Sequence, residues 1–463
     1  MRGVLGWSGY LPYRRLDRST IAPVAGSGGG RGARTVAGSD ENSTTMGVEA
    51  ARLALAGGAV RPRTLWFATT EPPYLDKTNA TAIHAALRLD RDTAAYDAVG
   101  STRSAMGALR AAFDATTPTL VVSADLRTGR PGGPDEATGG DGAAALLIGS
   151  DQDAPVLADL VAWASVTEEF LDRWRTPGAP AASLWEERFG LTRYGALGVE
   201  AVKLALGEAA LDAVDIAQLV VACPHPRAAH AVAKACDVPA KRLTDRWDDQ
   251  VGHVGAAQPA LLLAAALERA APGEIIVLAS LSDGADVAVF RTTTALTEYH
   301  PLRPLGEQLR AGAPISYGRY LGWRGMLPVE PPRRPEPTRP SAPAAWRNRE
   351  WKFGFVGSTG VDGLRLPPSP LDQAPMPMAS ARGTIVTFTV DRLAYSPSPP
   401  VVFAIIDFDG GGRLPMELTD VDENELRIGC RVELTFRKLL TAEGVHNYFW
   451  KAKPVRTAET TGE

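Results

Sequence analysis

The chain has 463 residues, of which 45% are hydrophobic and 22% are charged, and its formal net charge is −4. This balance is typical of a globular protein with roughly two to four structural units, and it argues against a nucleic-acid surface, which normally carries a basic excess. No apolar run approaches the ~20 residues of a membrane span, and the start lacks the apolar segment of a signal peptide. The three scattered cysteines match neither a disulfide framework nor a zinc motif. We therefore expect a cytoplasmic enzyme.

Four elements occur twice in the same order, about 150 residues apart. Amphipathic helices are predicted over 46–58 and 197–209, and each is followed by a strand. A glycine-led turn and a helix rich in small residues come next, over 100–114 and 252–268. Each repeat closes with a buried strand that starts at an Asp-Gly-Ala sequence. The pattern predicts a duplicated α/β unit with mostly buried strands.

A proline-rich segment separates this part from the C-terminal remainder. Residues 327–347 contain seven prolines, so we expect the segment to be extended and semi-rigid. Beyond it, β-branched stretches over 384–390, 401–408 and 431–439 are separated by turn-forming residues. Several short strands of this kind predict a small all-β barrel.

These residues resemble the thiolase superfamily, in the branch of HMG-CoA synthase and ketoacyl-ACP synthase III. The resemblance is carried by the opening GWSGYLPYRRLDR, by the DGAA and DGAD closures, and by the C-terminal TFTV, PPVVFAIIDFDGGGR, GCRVELTF and NYFWKAKPV, which are similar to an acyl-CoA-associated OB-fold domain. It implies a duplicated αβαβα five-layer fold. We expect the two thiolase-like halves over 1–150 and 151–326, the Pro-rich linker over 327–347, and an OB-fold domain with a degenerate zinc ribbon over 348–463.

The resemblance also implies an active site, from which the usual nucleophile is missing. The family takes the acyl group on a cysteine in a string such as GSC-R-x-G-T, whereas this chain reads GSTRSAMGAL, with Thr102 in the place of the cysteine. A threonine hydroxyl is a far weaker nucleophile than a thiolate unless a base is within reach. Thr102 is therefore either an acylated residue or, as we favour, a residue at a helix start that never forms an acyl-enzyme.

Two histidines and a glutamate match the other catalytic positions of the family. The loop PHPRAAHAVAKA provides His225, and the turn GHVGAA places His253 where the family has asparagine. Their implied roles are general base and oxyanion donor, and the alternative is that both are structural. Glu71, in ATTEPPYLDK, lies where HMG-CoA synthases carry a catalytic glutamate, or is a solvated loop residue.

Further residues are expected to bind the substrate, and no metal or cofactor is expected. The substrate-binding candidates are Ser101, Arg103 and Gly284. In the ribbon that usually precedes this OB-fold, Val356 and Thr359 occupy cysteine positions and Asp372 lies near another, so we predict no zinc. The thioester of CoA or phosphopantetheine is expected as a substrate rather than as a cofactor.

Three functions stay open at this level. We favour an acyltransferase-like enzyme that uses an acyl-CoA or acyl-carrier-protein thioester to form a C–C, C–O or C–N bond without the cysteine, in secondary metabolism. The alternatives are a lyase that cleaves a β-hydroxyacyl-CoA by retro-aldol chemistry, and a non-catalytic acyl-binding homologue. The resemblance implies a homodimer, and neither nucleic acid nor a membrane is an expected partner.

Overall fold

The computed structural model describes residues 1–56, 58, 60–361, 363–372 and 374–456. Its helices in chain order are α1 (Ala22–Ala25), α2 (Ser43–Leu55), α3 (Ala80–Ala86), α4 (Ser104–Asp114), α5 (Pro134–Thr138), α6 (Glu187–Ala209), α7 (Pro226–Ala235), α8 (Gln258–Leu267), α9 (Leu305–Arg310), α10 (Tyr317–Trp323), α11 (Ala342–Arg347) and α12 (Arg349–Gly354). No helix in these ranges is long and apolar enough to cross a membrane.

The strands fall into five groups that hydrogen-bond separately. In chain order they are β1 (Arg2–Tyr10), β2 (Arg14–Asp17), β3 (Ala33–Val36), β4 (Thr64–Thr69), β5 (Ala94–Val99), β6 (Thr119–Asp125), β7 (Gly142–Ser150), β8 (Ala158–Thr167), β9 (Arg173–Trp174), β10 (Ser183–Leu184), β11 (Ile216–Ala222), β12 (Ile275–Ser282), β13 (Gly284–Thr292), β14 (Ala313–Pro314), β15 (Val356–Gly360), β16 (Gly363–Arg365), β17 (Ala374–Pro377), β18 (Arg382–Asp391), β19 (Val401–Phe408), β20 (Arg413–Leu418), β21 (Arg431–Ala442) and β22 (Val445–Pro454).

The chain divides into two compact units, each built from three segments. The first consists of Met1–Val36, Asn42–Ala80 and Asp90–Tyr317, and the second of Ala37–Glu41, Thr81–Leu89 and Gly318–Glu463. The two short segments of the second unit differ from the expected boundaries, which gave all of 1–150 to one half. Ion pairs within the second unit account for the first of them, because Glu41 lies 3.0 Å from buried Arg437 and Asp40 lies 3.1 Å from Lys451.

The first unit is organised around nine strands in the order β11-β12-β13-β8-β1-β7-β6-β4-β5. Strands β1 and β8 pair only through Gly3 and Val4, so the sheet consists of two joined halves. In the first half, β1 is antiparallel to β7, β7 is antiparallel to β6, and β6 is parallel to β4. In the second half, β8 is antiparallel to β13, β13 is antiparallel to β12, and β12 is parallel to β11. The repeated order and directions confirm the duplication that the sequence predicts.

Alternate side chains of the second half-sheet face two different cores. Val220 and Leu278 belong to the core that also contains the apolar residues of α4 and α8. Their neighbours Val221 and Val277 pack with α6 and α7 instead. The two central helices therefore lie on one face of this half-sheet and the two outer helices on the other.

The first half-sheet has the same two-sided packing. Val121 of β6 and Leu146 of β7 share the core with α4 and α8. Helix α2 packs against β1, β6 and β7, where the Ser8 hydroxyl donates to the Ala50 carbonyl at 2.5 Å. The layers are thus α2, one half-sheet, α4 with α8, the other half-sheet, and α6 with α7. This confirms the predicted five-layer α/β fold.

The second unit contains a closed five-stranded barrel in the order β18-β19-β20-β22-β21. The three stretches that the sequence predicts as strands lie in β18, β19 and β21. Along β19, Val402, Ala404 and Ile406 are buried while the residues between them are not, which is the period-two pattern of a strand with one face on a core. The predicted small all-β barrel is confirmed.

A three-stranded sheet, β16-β15-β17, precedes the barrel at the position of the expected degenerate ribbon. Here the Ser358 hydroxyl donates to Asp372 Oδ2 at 2.6 Å and accepts from the Ser369 N–H at 2.8 Å. Arg365 lies 3.4 Å from the other oxygen of Asp372. A polar network therefore links the turns of this sheet, and the absence of zinc stays a prediction.

The proline-rich segment departs from the expectation at its C-terminal end. Residues 328–341 form neither helix nor strand, but α11 begins at Ala342, inside the segment predicted to be extended. Ser341 caps this helix by accepting from the Ala344 N–H at 3.4 Å, and Pro343 lies in its first turn. A proline is tolerated there because the N–H that it lacks would have no partner within the helix. The prediction of an extended chain is wrong for Ala342–Arg347.

Candidate active site

The residues selected from the sequence meet at a cavity of about 550 Å³ in the first unit. Four of them line it: Glu71, Ser101, Thr102 and His253. The other three lie behind its wall, each next in sequence to a residue that lines it: His225, Arg103 and Gly284. Exposed residues over 174–178 form the rim, whereas the inner wall includes buried Tyr194 and Ser282.

Thr102 lies in the turn that leads into α4. Gly100 adopts a φ of +112°, a conformation that favours glycine, and the Ser101 hydroxyl accepts from the Arg103 N–H at 3.1 Å. The Thr102 hydroxyl is 2.9 Å from that of Ser282, at the end of β12. Among the described residues it hydrogen-bonds to no histidine and no carboxylate, the groups that activate a threonine as a nucleophile.

Arg103 and Gly284 hold the same turn against β13. Arg103 donates to Asp286 Oδ2 at 2.8 Å and to the Asp283 carbonyl at 2.7 Å. Gly284 has a φ of +132°, and a Cβ there would lie 2.3 Å from the guanidinium of Arg103, so a glycine is required. These contacts position the start of α4, and contact of either residue with substrate stays a prediction.

His253 is a buried imidazole in the turn before α8. Its Nδ1 accepts from the Gly255 N–H at 3.2 Å, which leaves Nε2 to carry the proton. Burial, with the positive charges of Arg127 and Arg246, holds the pKa of His253 well below its ordinary value. A neutral imidazole that lines the cavity can donate a hydrogen bond, as stabilisation of an oxyanion requires.

His225 forms part of a buried polar group behind the cavity wall. Its Nε2 lies 3.2 Å from Asp172 Oδ2, and the Tyr194 hydroxyl donates to the same oxygen at 3.2 Å. Asp172 is 1% exposed, and a Cβ on Gly190 would lie 2.2 Å from its Oδ1, so only a glycine fits beside it. The carboxylate therefore fixes the orientation of the His225 ring.

Glu71, the candidate catalytic glutamate, lines the cavity. Its Oε2 lies 2.5 Å from Nη1 of Arg175, and the Glu71 side chain is 43% exposed. The Ser43 hydroxyl donates to the Glu71 carbonyl at 2.7 Å. A glutamate at this place can act as a base when its carboxylate is ionised.

Asp125, at the end of β6, connects the Glu71 loop to the His253 turn. Its carboxylate accepts from the Thr70 N–H and from the Ala256 N–H, each at 2.6 Å, and from the Thr69 hydroxyl at 2.8 Å. Asp125 is completely buried, and burial raises its pKa. One buried side chain thus holds two of the candidate catalytic loops in register.

The comparisons with known proteins decide the family. A hydroxymethylglutaryl-CoA synthase from Aeropyrum pernix is 31% identical over 346 residues, which cover 71% of this chain and 95% of that protein. The corresponding enzyme from Methanopyrus kandleri is 27% identical over 344 residues, covering 70% and 97%. The chain belongs to the hydroxymethylglutaryl-CoA synthase family.

Solved structures extend the family assignment to the fold. A 3-oxoacyl-(acyl carrier protein) synthase III from Pseudomonas aeruginosa has a TM-score of 0.56 at 22% identity, covering 63% of this chain and 98% of that one. An HMG-CoA synthase complexed with CoA has a TM-score of 0.58 at 19% identity, covering 69% of this chain and 89% of that one. The HMG synthase of the curacin biosynthetic pathway, in complex with acetyl donor-ACP, has a TM-score of 0.59 at 17% identity, covering 70% of this chain and 88% of that one. Residues 377–437 match the C-terminal OB-fold domain of ChsH2. The expected superfamily and the expected OB-fold are both confirmed.

The three cysteines of this family member lie away from the lining of the cavity. Cys223 is completely buried, its Sγ accepts from the His225 N–H at 3.4 Å, and burial raises its pKa to about 12. Cys236 is buried, and Cys430 lies in the second unit. Among the described residues that line the cavity there is no cysteine.

Three residues of the site were missed by the sequence analysis. Asp125 had a usable signal, because it ends a buried strand and the carboxyl ends of parallel strands meet at one edge of a sheet. Asp172 and Arg127 lie in loops without a motif, and nothing in the sequence indicates that they face the site.

Proposed function

We propose that the chain is an acyltransferase-like enzyme that acts on an acyl-CoA or acyl-carrier-protein thioester without a catalytic cysteine. The observation that carries this proposal is the pairing of a neutral His253 with an unactivated Thr102 at one cavity. A site with a hydrogen-bond donor for an oxyanion, and no activated nucleophile, suits direct transfer to an acceptor.

The residues of the cavity divide the chemistry between them. The acceptor attacks the thioester carbonyl while Glu71, a carboxylate that lines the cavity, takes its proton. His253 donates through Nε2 to the oxyanion, and collapse of the adduct expels the thiolate, which takes the proton from Glu71. His225 lies behind the wall and acts by positioning, held by Asp172.

A retro-aldol lyase is the second candidate. The same lack of an activated nucleophile favours it, since cleavage of a β-hydroxyacyl-CoA needs a base and a donor for the enolate oxygen and no covalent intermediate. Glu71 would remove the proton of the β-hydroxyl group, the Cα–Cβ bond would break, and His253 would stabilise the enolate. The proton held by Glu71 would then pass to the α-carbon and give the shortened acyl-CoA.

The proposal includes the molecular context of the enzyme. CoA or a carrier protein delivers the acyl group and no cofactor takes part. The loss of the family's cysteine supports a role in secondary metabolism, since the resemblance ties primary mevalonate synthesis to that residue. A homodimer is proposed through the edge strand β5, whose Tyr96 is 50% exposed.

Product analysis tests the two reactions against each other. The purified protein is incubated with acyl-CoA, acyl-pantetheine and β-hydroxyacyl-CoA substrates, with and without amine and alcohol acceptors, and products are identified by mass spectrometry. Acyl transfer releases free thiol and an acylated acceptor, whereas the lyase releases a ketone or aldehyde and a shortened acyl-CoA.

The same assay includes two histidine variants. His253→Ala should lower the rate about 10²-fold or more because it removes the oxyanion donor. His230→Ala, an exposed histidine on α7, should leave the rate unchanged. Absence of turnover with every substrate would contradict the proposal and support a non-catalytic acyl-binding protein. Turnover at equal rates in both variants would contradict the role of His253 as oxyanion donor.

A further inference from the structure

Arg127 is a cationic side chain of the cavity that the proposed reaction does not use. It lines the same cavity as Thr102 and His253, and its backbone N–H donates to the buried carboxylate of Asp141 at 2.8 Å. Its Nη1 donates to the Thr70 hydroxyl at 3.2 Å. The guanidinium lies close enough to His253 for its charge to help lower the pKa of that imidazole.

The other arginines of the cavity are already paired with acids. Arg173 forms an ion pair with Asp135, and Arg175 forms one with Glu71. Arg127 forms no ion pair in the part of the chain that the structure describes.

The charges of two nearby acids, Asp125 and Asp135, act on the Arg127 guanidinium, but neither acid forms an ion pair with it. The carboxylate of Asp125 already accepts hydrogen bonds from Thr69, Thr70 and Ala256. Burial and the nearby charge of Arg173 lower the pKa of Arg127, and the charges of Asp125 and Asp135 offset this only in part. An anion at this place would restore the balance and gain charge-assisted hydrogen bonds.

We infer that the acyl group carried by the thioester ends in a carboxylate, and that Arg127 binds it. This inference rests on the proposed function, because it names the substrate class of the same cavity. A planar guanidinium matches a carboxylate with two parallel hydrogen bonds. The phosphates of CoA are separated from the thioester by the pantetheine arm, so an anion beside Thr102 and His253 belongs to the acyl side.

Binding measurements with matched ligands test the inference. The probes are ketone analogues of malonyl-, succinyl- and glutaryl-pantetheine, in which CH₂ replaces the thioester sulfur, and the same analogues with a carboxamide in place of the carboxylate. Calorimetric titration of the full chain should show that one carboxylate analogue binds about 10- to 100-fold more tightly than its amide. Arg127→Met should remove this preference and change the affinity for the amide less than about threefold.

Two further variants keep the test decisive. Arg130→Met changes an exposed arginine of the same segment that does not line the cavity, and it should keep the full preference. Arg127→Lys retains the charge without the planar fork and should show a reduced preference; it replaces the methionine variant if that protein fails to fold.

The outcomes separate this inference from the proposed function. Equal binding of acids and amides by the wild type, or a preference that survives in Arg127→Met, would overturn the carboxylate assignment and leave thioester chemistry in place. Binding of free glutarate that depends on Arg127, with equal binding of both analogue series, would assign the carboxylate to an acceptor and overturn the inference as stated. Failure to bind any analogue would contradict both proposals.

Discussion

The proposed chemistry depends on the protonation state of one buried residue, His253. Its folded pKa lies well below the ordinary value of 6.5 because of burial and the charges of Arg127 and Arg246. As the pH falls below about 6.5, the unfolded chain takes up a proton that the folded chain refuses. The contribution of His253 to stability is therefore complete above that pH and is lost as the pH falls.

Replacing His253 with the family's asparagine should remove this pH dependence. Between pH 7.5 and pH 5.0 the wild type should lose about 1–2 kcal/mol more of its free energy of unfolding than His253→Asn, at 1.36 kcal/mol per pH unit. Denaturant titration at the two pH values measures the difference. His230→Asn is the matched control and should behave as the wild type, and an equal loss in His253→Asn would mean that His253 is protonated in the folded chain.

At the scale of single residues, the sequence indicates which residues line the cavity better than it indicates which residues contact one another. Thr102, His253 and Glu71 could be located because each replaces or matches a residue in a motif, and all three line the cavity. Asp172 could not, because its role depends on His225, 53 positions away in the chain. For Arg103, which is expected to bind substrate, the contact with Asp286 could not be foreseen, because Asp286 comes from a distant strand.

At the scale of elements, Asp125 shows how two loops and a strand become one unit. It ends β6 and accepts hydrogen bonds from the loop after β4 and from the turn before α8. Neither loop contains this acceptor in its own sequence. The spacing between Glu71 and His253 therefore depends on a buried carboxylate outside both.

Asp125→Asn should loosen both loops together. Both oxygens of Asp125 accept from backbone N–H groups, those of Thr70 and Ala256, so the NH₂ group of asparagine would face a donor at either position. We therefore expect a loss of about 2–4 kcal/mol in the free energy of unfolding. Hydrogen exchange should accelerate at both amides. Asp114→Asn, an exposed residue paired with Arg110, should change stability by less than about 0.5 kcal/mol. Faster exchange at only one of the two amides would contradict the linking role.

The elements themselves follow closely from the sequence, with one instructive exception. Hydrophobic periodicity and glycine turns predict the duplicated helices and strands, because these signals are local. Helix α11 was missed because the proline content was read as excluding a helix, whereas a proline in the first turn is compatible with one. The pairing of β1 with β8, which joins the halves, has no local signal at all.

At the scale of the whole molecule, the open edge of β5 predicts self-association. Tyr96 and Val99 are 50% and 45% exposed on an edge strand, and such edges are normally covered. Light scattering should give a mass about twice 49.1 kDa for the wild type. Tyr96→Glu should weaken the dimer at least about tenfold by placing charge on the edge. Leu204→Glu, an equally exposed site on α6, should not, and a monomeric wild type would contradict the prediction.

The central claim is that this cavity processes a thioester without an activated nucleophile at position 102. Intact-protein mass after incubation with acyl-CoA and acyl-pantetheine thioesters tests it most directly, in the wild type, Thr102→Ala and Thr102→Cys. We predict no adduct on the wild type or on Thr102→Ala, and an acyl adduct on Thr102→Cys, whose thiol would lie at the start of α4 where the helix dipole favours the thiolate. An adduct on the wild type that is absent from Thr102→Ala, or no adduct on Thr102→Cys with any thioester, would contradict the account.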